Sequence, residues 1–126
     1  MHNPLRNLID RKSEVALEAY NYIKRKYPNR TDDPQKCMRD MNYVLDAYIL
    51  DLKHETVANT KYIASKYWHN GVRQLSTYDV EVEVHNFIVD YISEKVFIPG
   101  KDHQHWFHLT RLRDVLINTI VHGINR

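Results

Sequence analysis

Cysteine is almost missing from this sequence, since Cys37 is the only one among 126 residues. A single thiol excludes a disulfide framework within the chain, and it equally excludes a pair of cysteines that binds metal or exchanges electrons. Long apolar runs are missing too, and the start MHNPLRNLIDRK lacks the hydrophobic core of a signal peptide. We therefore expect a soluble protein without a membrane partner, made for a reducing cytoplasm or for a particle assembled there.

Charge of one sign is also scarce, because the net charge is only +2. So small a charge creates no global field that would attract nucleic acid, and we expect no nucleic-acid partner. The charges are unevenly spread: residues 1–30 contain seven Lys or Arg and three acids, whereas residues 71–100 contain two and five. This asymmetry favours head-to-tail contact between neighbouring subunits, and hence a homo-oligomer as one candidate state.

Glycine and proline are rare, with three and four copies, and the prolines stand where a helix could begin or stop. Between them, apolar residues recur at helical spacing, which is typical of an all-α protein. A chain of this length is sufficient for one hydrophobic core. The sequence therefore predicts a single domain over residues 1–126, built as an up-and-down bundle of four to five helices.

The helix boundaries follow from local signals. Asn3-Pro4 and Asp33-Pro34 each supply an N-cap residue followed by a proline in the first turn. We predict helices over residues 4–27, 34–52, 55–70, 79–97 and 102–122. Nothing between Leu52 and Glu55 forbids a continuous helix, so the separation of the second and third helices stays open.

The stretch DVEVEV would be assigned to a strand by its period alone, because valine alternates with charged residues. The apolar residues from Val84 onward return to the helical period, with Phe87, Ile88 and Tyr91 on one face. No second candidate strand exists for pairing. We therefore predict a helix here.

Cys37 has three chemical interpretations: a catalytic nucleophile, the attachment point of a cofactor, or a packing residue. A catalytic thiol needs a lowered pKa and a base, but no histidine lies within reach on the same predicted helix. A lone cysteine on an amphipathic helix usually packs as a small hydrophobic residue. We favour packing, and we predict no catalytic residue and no enzymatic activity.

A metal site is conceivable near the C-terminal end, where His105 and His108 are three residues apart and Asp102 lies one turn earlier. No Glu-x-x-His pair on another helix completes such a site. Surface or cap histidines are the favoured interpretation, and we predict neither a metal nor a cofactor.

Aromatic residues are abundant, including nine tyrosines and two tryptophans. Most of them extend the apolar stripes of the predicted helices, and aromatic side chains serve both cores and protein interfaces. Nucleic-acid binding would require basic residues interleaved with them. The basic run Lys24-Arg25-Lys26 is better explained as a cationic helix C-terminus that complements the helix dipole.

Two groups of polar residues are candidates for structural or interface roles. On the second predicted helix these are Arg39, Asp40, Asp46 and Asp51. Asp40 and Asp51 share a helix side with Cys37, so we expect their carboxylates to be shielded. One arginine cannot pair with three aspartates, which predicts a polar network between helices or with a neighbouring subunit. The charged and aromatic edge of the last two predicted helices is expected to form an exposed interface. Its exposed residues that the core does not explain include Asp102, His103, His105, Arg111 and Arg113.

Three stretches together resemble a known module: NLIDRKSEVALEAYNYIKRKYP, KCMRDMNYVLDAYILDL and ANTKYIASKYWHNG. They look like a helical module found in structural proteins of T4-like tailed phages, especially phages of marine cyanobacteria. The match covers about residues 7–71 and includes the Cys-x-x-Asp helix from Cys37 to Leu52. It departs after Leu52, where the family usually has a Gly-Gly-Asn turn and this chain has Lys53-His54-Glu55.

The resemblance implies a non-enzymatic virion component. By this interpretation the chain is an adaptor or decorating subunit of the tail, baseplate or fibre, and it contacts other phage structural proteins. It would be assembled in the host cytoplasm and reside in the virion.

Two alternatives stay open. Cys37, Arg39, Asp40 and Tyr43 are also similar to the bilin-attachment helix of phycobiliproteins, in which the cysteine forms a thioether and the arginine holds a propionate. The glycine-rich stretch that follows in that family is missing here. The other alternative is a small phage-encoded protein that binds and regulates a host protein.

Overall fold

The structure is a computed structural model that describes residues 3–30, 33–54 and 78–122. Within these ranges the regular elements are all helical. The five α-helices are α1 (Pro4–Asp10), α2 (Lys12–Lys26), α3 (Pro34–His54), α4 (Tyr78–Tyr91) and α5 (His103–His122). A 3-10 turn (Pro28–Arg30) follows α2, and a π-helical turn (Ile92–Val96) follows α4. The predicted all-α fold is confirmed.

Both predicted helix starts are confirmed by their caps. The Asn3 side chain accepts a hydrogen bond of 3.2 Å from the Arg6 backbone N–H, and the Asp33 carboxylate accepts one of 3.1 Å from the Lys36 N–H. These bonds satisfy N–H groups that have no partner within the first turn of a helix. The third predicted helix, over residues 55–70, lies outside the described residues, and so does its continuity with α3.

The first predicted helix is wrong in one respect, because it is interrupted at Arg11. This residue has φ −106° and ψ 11°, outside the helical region, and it separates α1 from α2. Its guanidinium donates to the Lys95 carbonyl, and the Asn7 side-chain amide donates to the Val96 carbonyl at 3.1 Å. Those carbonyls end the π-helical turn and have no helical partner of their own. The interruption of the helix at Arg11 therefore coincides with a tertiary contact. No helix-breaking residue next to Arg11 indicates it in the sequence.

Four of the described helices form a ring around the core. Helix α2 packs against α3 and α4, and α5 packs against the same two helices, while α3 and α4 meet sparsely across the diagonal. Helix α1 packs against α3 and the π-helical turn. The largest fully buried apolar side chains come from every ring helix and from α1 and the π-helical turn: Leu8, Ile23, Met41, Leu45, Tyr48, Ile88, Ile92, Leu109, Leu112 and Leu116.

Helix α4 confirms the helical interpretation of DVEVEV. Val80, Val84 and Ile88 are buried at four-residue spacing, so the core face follows the helical period. The same face buries Glu81 and His85, which the valine alternation had placed together on the polar side. None of the described helices has the combination of length and apolar character that crossing a membrane requires.

Candidate functional site

An exposed aromatic surface lies where the π-helical turn leads into α5. We call it the aromatic corner and define it by Ile98, His103, Trp106 and Phe107. The His103 and Trp106 rings stack with centroids 5.6 Å apart, and His103 lies 6.4 Å from the Phe107 ring. Phe107 is 63% exposed, the most of the large apolar residues described. Exposed aromatic surface of this kind is typical of protein contact sites.

A cavity of about 350 Å³ opens beside these rings. Its walls come from the end of the π-helical turn, the connecting loop and the first turns of α5. They are Ser93, Phe97, Ile98, Pro99, Gly100, Asp102, His103 and Trp106. The aromatic corner therefore combines a projecting ring, Phe107, with a concave pocket next to it.

Asp102 holds this loop in place. Its carboxylate accepts a hydrogen bond of 2.7 Å from the Ile98 N–H, and its backbone N–H donates to the Ile98 carbonyl at 3.1 Å. Between them Gly100 has φ +83°, a left-handed conformation that glycine adopts without steric cost. The loop that leads from the π-helical turn to α5 is therefore closed by paired hydrogen bonds next to the aromatic corner.

The expected exposure of the predicted interface edge is wrong for Asp102, which is buried, and Arg113 is only partly exposed. Asp102 is only 3% exposed, because its carboxylate turns inward to the Ile98 N–H. The Arg113 side chain is 20% exposed and lies 3.5 Å from the Asp90 carboxylate on α4. Both residues are engaged within the bundle, so their charges are explained by the fold itself.

The other residues predicted on this edge are placed differently. His103 is exposed and belongs to the aromatic corner, whereas His105 is half-buried with its ring 6.3 Å from that of Phe97. Arg111 is half-buried on α5. The interface role of this edge stays a prediction, and its exposed aromatic part is better defined than its charged part.

The polar residues of α3 separate into a buried and an exposed set. Asp40 and Asp51 are buried as predicted, whereas Arg39 is exposed. Burial raises the pKa of Asp40, although the nearby charges of Lys36 and Arg39 act in the opposite direction. Asp46 is exposed and pairs with Lys12 of α2 at 2.5 Å. One ion pair between helices is therefore present at Asp46, and the wider polar network of these residues stays a prediction.

A buried polar pair that the sequence did not predict lies between α3 and α4. The Tyr48 hydroxyl and His85 Nδ1 share a hydrogen bond of 2.6 Å, and both side chains are fully buried. Burial, and secondarily the charge of Arg113, lowers the pKa of His85 from 6.5 to about 3. Burial also raises the pKa of Tyr48 well above its usual value. At neutral pH the pair is therefore uncharged.

A second unpredicted feature is a row of aromatic rings between α2 and α4. Tyr22 stacks on Phe87 with centroids 4.6 Å apart and an interplanar angle of 19°. Phe87 in turn stacks on Tyr91 at 5.9 Å and 28°. The four-residue spacing of Phe87 and Tyr91 was visible in the sequence, but the contribution of Tyr22 from another helix was not.

Cys37 is buried in the first turn of α3 and is 7% exposed. This position confirms its predicted packing role. A covalently attached bilin requires an accessible thiol, and the neighbouring Asp40 carboxylate is buried as well. Among the described residues, no group of three or more His, Cys, Asp or Glu side chains is arranged to hold a metal ion.

No protein-family model, no curated protein and no solved structure matches this chain. The resemblance to the phage helical module therefore stays a prediction, carried by the residues quoted for it.

Proposed function

We propose that this chain is a non-enzymatic structural protein of a phage virion that acts through protein–protein contacts. The partner at the aromatic corner is another structural protein of the tail, baseplate or fibre. The observation that supports this proposal best is the 63% exposure of Phe107. Its ring lies 6.4 Å from that of His103, which lines the cavity of about 350 Å³. A projecting aromatic anchor next to a pocket is the arrangement in which protein interfaces concentrate their binding energy.

The rigidity of the aromatic corner supports the same role. Asp102 and Gly100 close the loop before α5, so little conformational entropy is lost when a partner orders this surface. The phage-module resemblance supplies the virion context. The bilin alternative is disfavoured by the burial of Cys37, and a colourless purified protein of unmodified mass would remove it.

The proposal is tested by quantitative mass spectrometry of virions purified from the infection in which this chain is made. We expect the chain in stoichiometric copies relative to a known tail protein. If it is abundant in the lysate but missing from purified virions, the virion role is wrong. Recovery of a host protein with the chain from that lysate would then favour the regulator alternative.

The contribution of the aromatic corner is tested by Phe107→Ala. We expect incorporation into virions to fall about tenfold, since truncating an interface anchor commonly costs about 1 to 2 kcal/mol. The matched control is Leu17→Ala, which removes an apolar side chain that is 49% exposed on α2. Equal losses for the two variants, or no loss for either, would contradict the assignment of the contact to the corner.

A further inference from the structure

A groove of about 380 Å³ follows the seam between α2 and the end of α4. It is separate from the aromatic corner. Three aromatic rings and three carboxylates dominate its walls: Tyr22, Phe87, Tyr91, Glu83, Asp90 and Glu94. Aromatic faces and carboxylates attract the same kind of ligand, namely a cation with some apolar surface.

The three rings form one continuous stack, as described above, and each of them is only partly buried. Two hydroxyls are fixed at the ends of this stack. The Tyr22 hydroxyl donates to Glu83 at 3.0 Å, and the Tyr91 hydroxyl donates to Glu14 at 3.2 Å. The rings are thereby held in place before any partner arrives.

One end of the groove already holds a cation. Lys26 Nζ lies 3.0 Å from the Glu83 carboxylate and 5.8 Å from the centroid of the Tyr22 ring. The bond to Lys26 is the main reason why the pKa of Glu83 is lowered. The chain thus shows, at the Tyr22 end, how a ring and a carboxylate of this groove together bind a positively charged side chain.

The other end repeats these groups. Tyr91 supplies the ring, and Asp90 and Glu94 supply the carboxylates. Asp90 is paired with Arg113 at 3.5 Å, but Glu94 is exposed and forms no ion pair within the described part of the chain. Arg11 lies near the Tyr91 hydroxyl, but its guanidinium is paired with Glu14 at 2.7 Å. The Tyr91 ring and the Glu94 carboxylate therefore remain available at this end.

We propose that this groove binds an arginine-bearing segment of a partner protein, with a guanidinium against the Tyr91 ring and paired with Glu94. Arginine fits better than lysine, because its planar guanidinium stacks on aromatic rings and forms two parallel hydrogen bonds to a carboxylate. The Glu94 carboxylate disfavours nucleic acid or anionic lipid as the occupant, because it repels their phosphates. The inference names the chemistry of one partner, so it rests on the proposed role in protein contacts.

The test is fluorescence anisotropy of labelled hexa-arginine, hexa-lysine and hexa-glutamate peptides titrated with the full chain at low salt. We expect hexa-arginine to bind more tightly than hexa-lysine and hexa-glutamate not to bind. Glu94→Gln should weaken hexa-arginine binding about three- to tenfold. The matched control is Asp46→Asn, which removes the same charge from an exposed carboxylate on α3, a helix that contributes nothing to the groove.

Tyr91→Leu should remove the preference for arginine over lysine, and circular dichroism checks that this variant is folded. If Tyr91→Leu is not folded, Glu94→Gln still tests the proposal, because the Glu94 side chain is exposed. The proposal is overturned if hexa-arginine does not bind, or if Glu94→Gln and Asp46→Asn weaken binding equally. It is also overturned if sedimentation shows self-association that only Glu94→Gln abolishes, since the occupant is then a second copy of the chain.

Failure of this inference is distinguishable from failure of the proposed function. Peptide binding is measured on the purified chain in solution, whereas the virion role is measured on purified particles. If the chain is present in virions but does not bind hexa-arginine, the virion role is supported and the assignment of the groove is wrong. A chain that binds hexa-arginine but is missing from virions would lose the virion role alone.

Discussion

The Tyr48 hydroxyl lies 2.6 Å from His85 Nδ1 in the centre of the bundle, and this contact joins the diagonal helices α3 and α4. These two helices otherwise meet sparsely. A polar pair with a short hydrogen bond therefore sets their relative position where apolar packing between them is limited.

Removing this hydrogen bond should destabilise the fold. In Tyr48→Phe the buried His85 loses its bond to the hydroxyl, and we expect the free energy of unfolding to fall by about 1 to 2 kcal/mol. Urea denaturation measures the change. The matched control is Tyr43→Phe, the same substitution on the same helix at a side chain that is 42% exposed, and its effect should stay within about 0.5 kcal/mol. Indistinguishable effects at the two positions would contradict the role of the buried pair.

Stability should fall in mild acid because of His85. The pKa of His85 is about 3 in the folded chain and 6.5 without burial. Between these two pH values the imidazole is protonated in the unfolded chain but neutral in the folded chain. Above pH 6.5 His85 is neutral in both the folded and the unfolded chain, so its stabilising contribution to the free energy of unfolding is fully present. As pH falls from about 6.5 to 3, the free energy of unfolding decreases by about 1.4 kcal/mol per pH unit.

The measurement is the free energy of unfolding at several pH values for the wild type and for His85→Gln. The variant lacks the titrating ring, so its profile should be flatter between pH 6.5 and 4. Asp40, whose pKa is raised by burial, contributes the opposite slope in acid, and it does so in both proteins. Parallel profiles would show that His85 titrates normally in the fold.

Asp102 should matter for stability although it lies next to the exposed aromatic corner. Asp102→Ala removes the 2.7 Å bond to the Ile98 N–H, and we expect a loss of about 1 to 2 kcal/mol in the free energy of unfolding. Asp114→Ala is the control, because its carboxylate is largely exposed on α5, the helix that follows Asp102. Its effect should stay within about 0.5 kcal/mol. If Asp102→Ala is neutral in thermal denaturation, the hydrogen bond does not hold the loop.

The docking of α1 should depend on Asn7. Asn7→Ala leaves the Val96 carbonyl without its 3.1 Å donor, and we expect a loss of about 1 kcal/mol. The substitution should also accelerate native-state hydrogen exchange more in α1 than in α5, since α1 is held by fewer contacts. Asn118→Ala, on an exposed position of α5, is the control and should leave both quantities unchanged. Uniform acceleration throughout the chain would indicate global destabilisation instead.

Much of the fold was predictable because its signals are local. The capping residues Asn3 and Asp33 precede prolines, and a side chain three residues before an amide needs no tertiary context to cap it. The helical period of α4 similarly outweighed a short alternation. The burial of Cys37 and Asp40 followed from their shared helix side. The break at Arg11 was not predictable, since it accompanies carbonyl groups 84 and 89 residues further along the chain, counted from Arg11 and Asn7.

The candidate surfaces likewise have features that the sequence predicts and features that depend on tertiary packing. Helical spacing by itself determined that Phe87 and Tyr91 share one face, and that charged and aromatic residues gather at the start of the last helix. Only the tertiary structure decided that Tyr22 completes the aromatic row, that Asp102 turns inward and that Phe107 projects outward. The physical reason is that periodicity specifies which residues lie together on one element. Which element covers that face depends on how the helices pack around the core, and that arrangement is set by contacts between residues far apart in the chain.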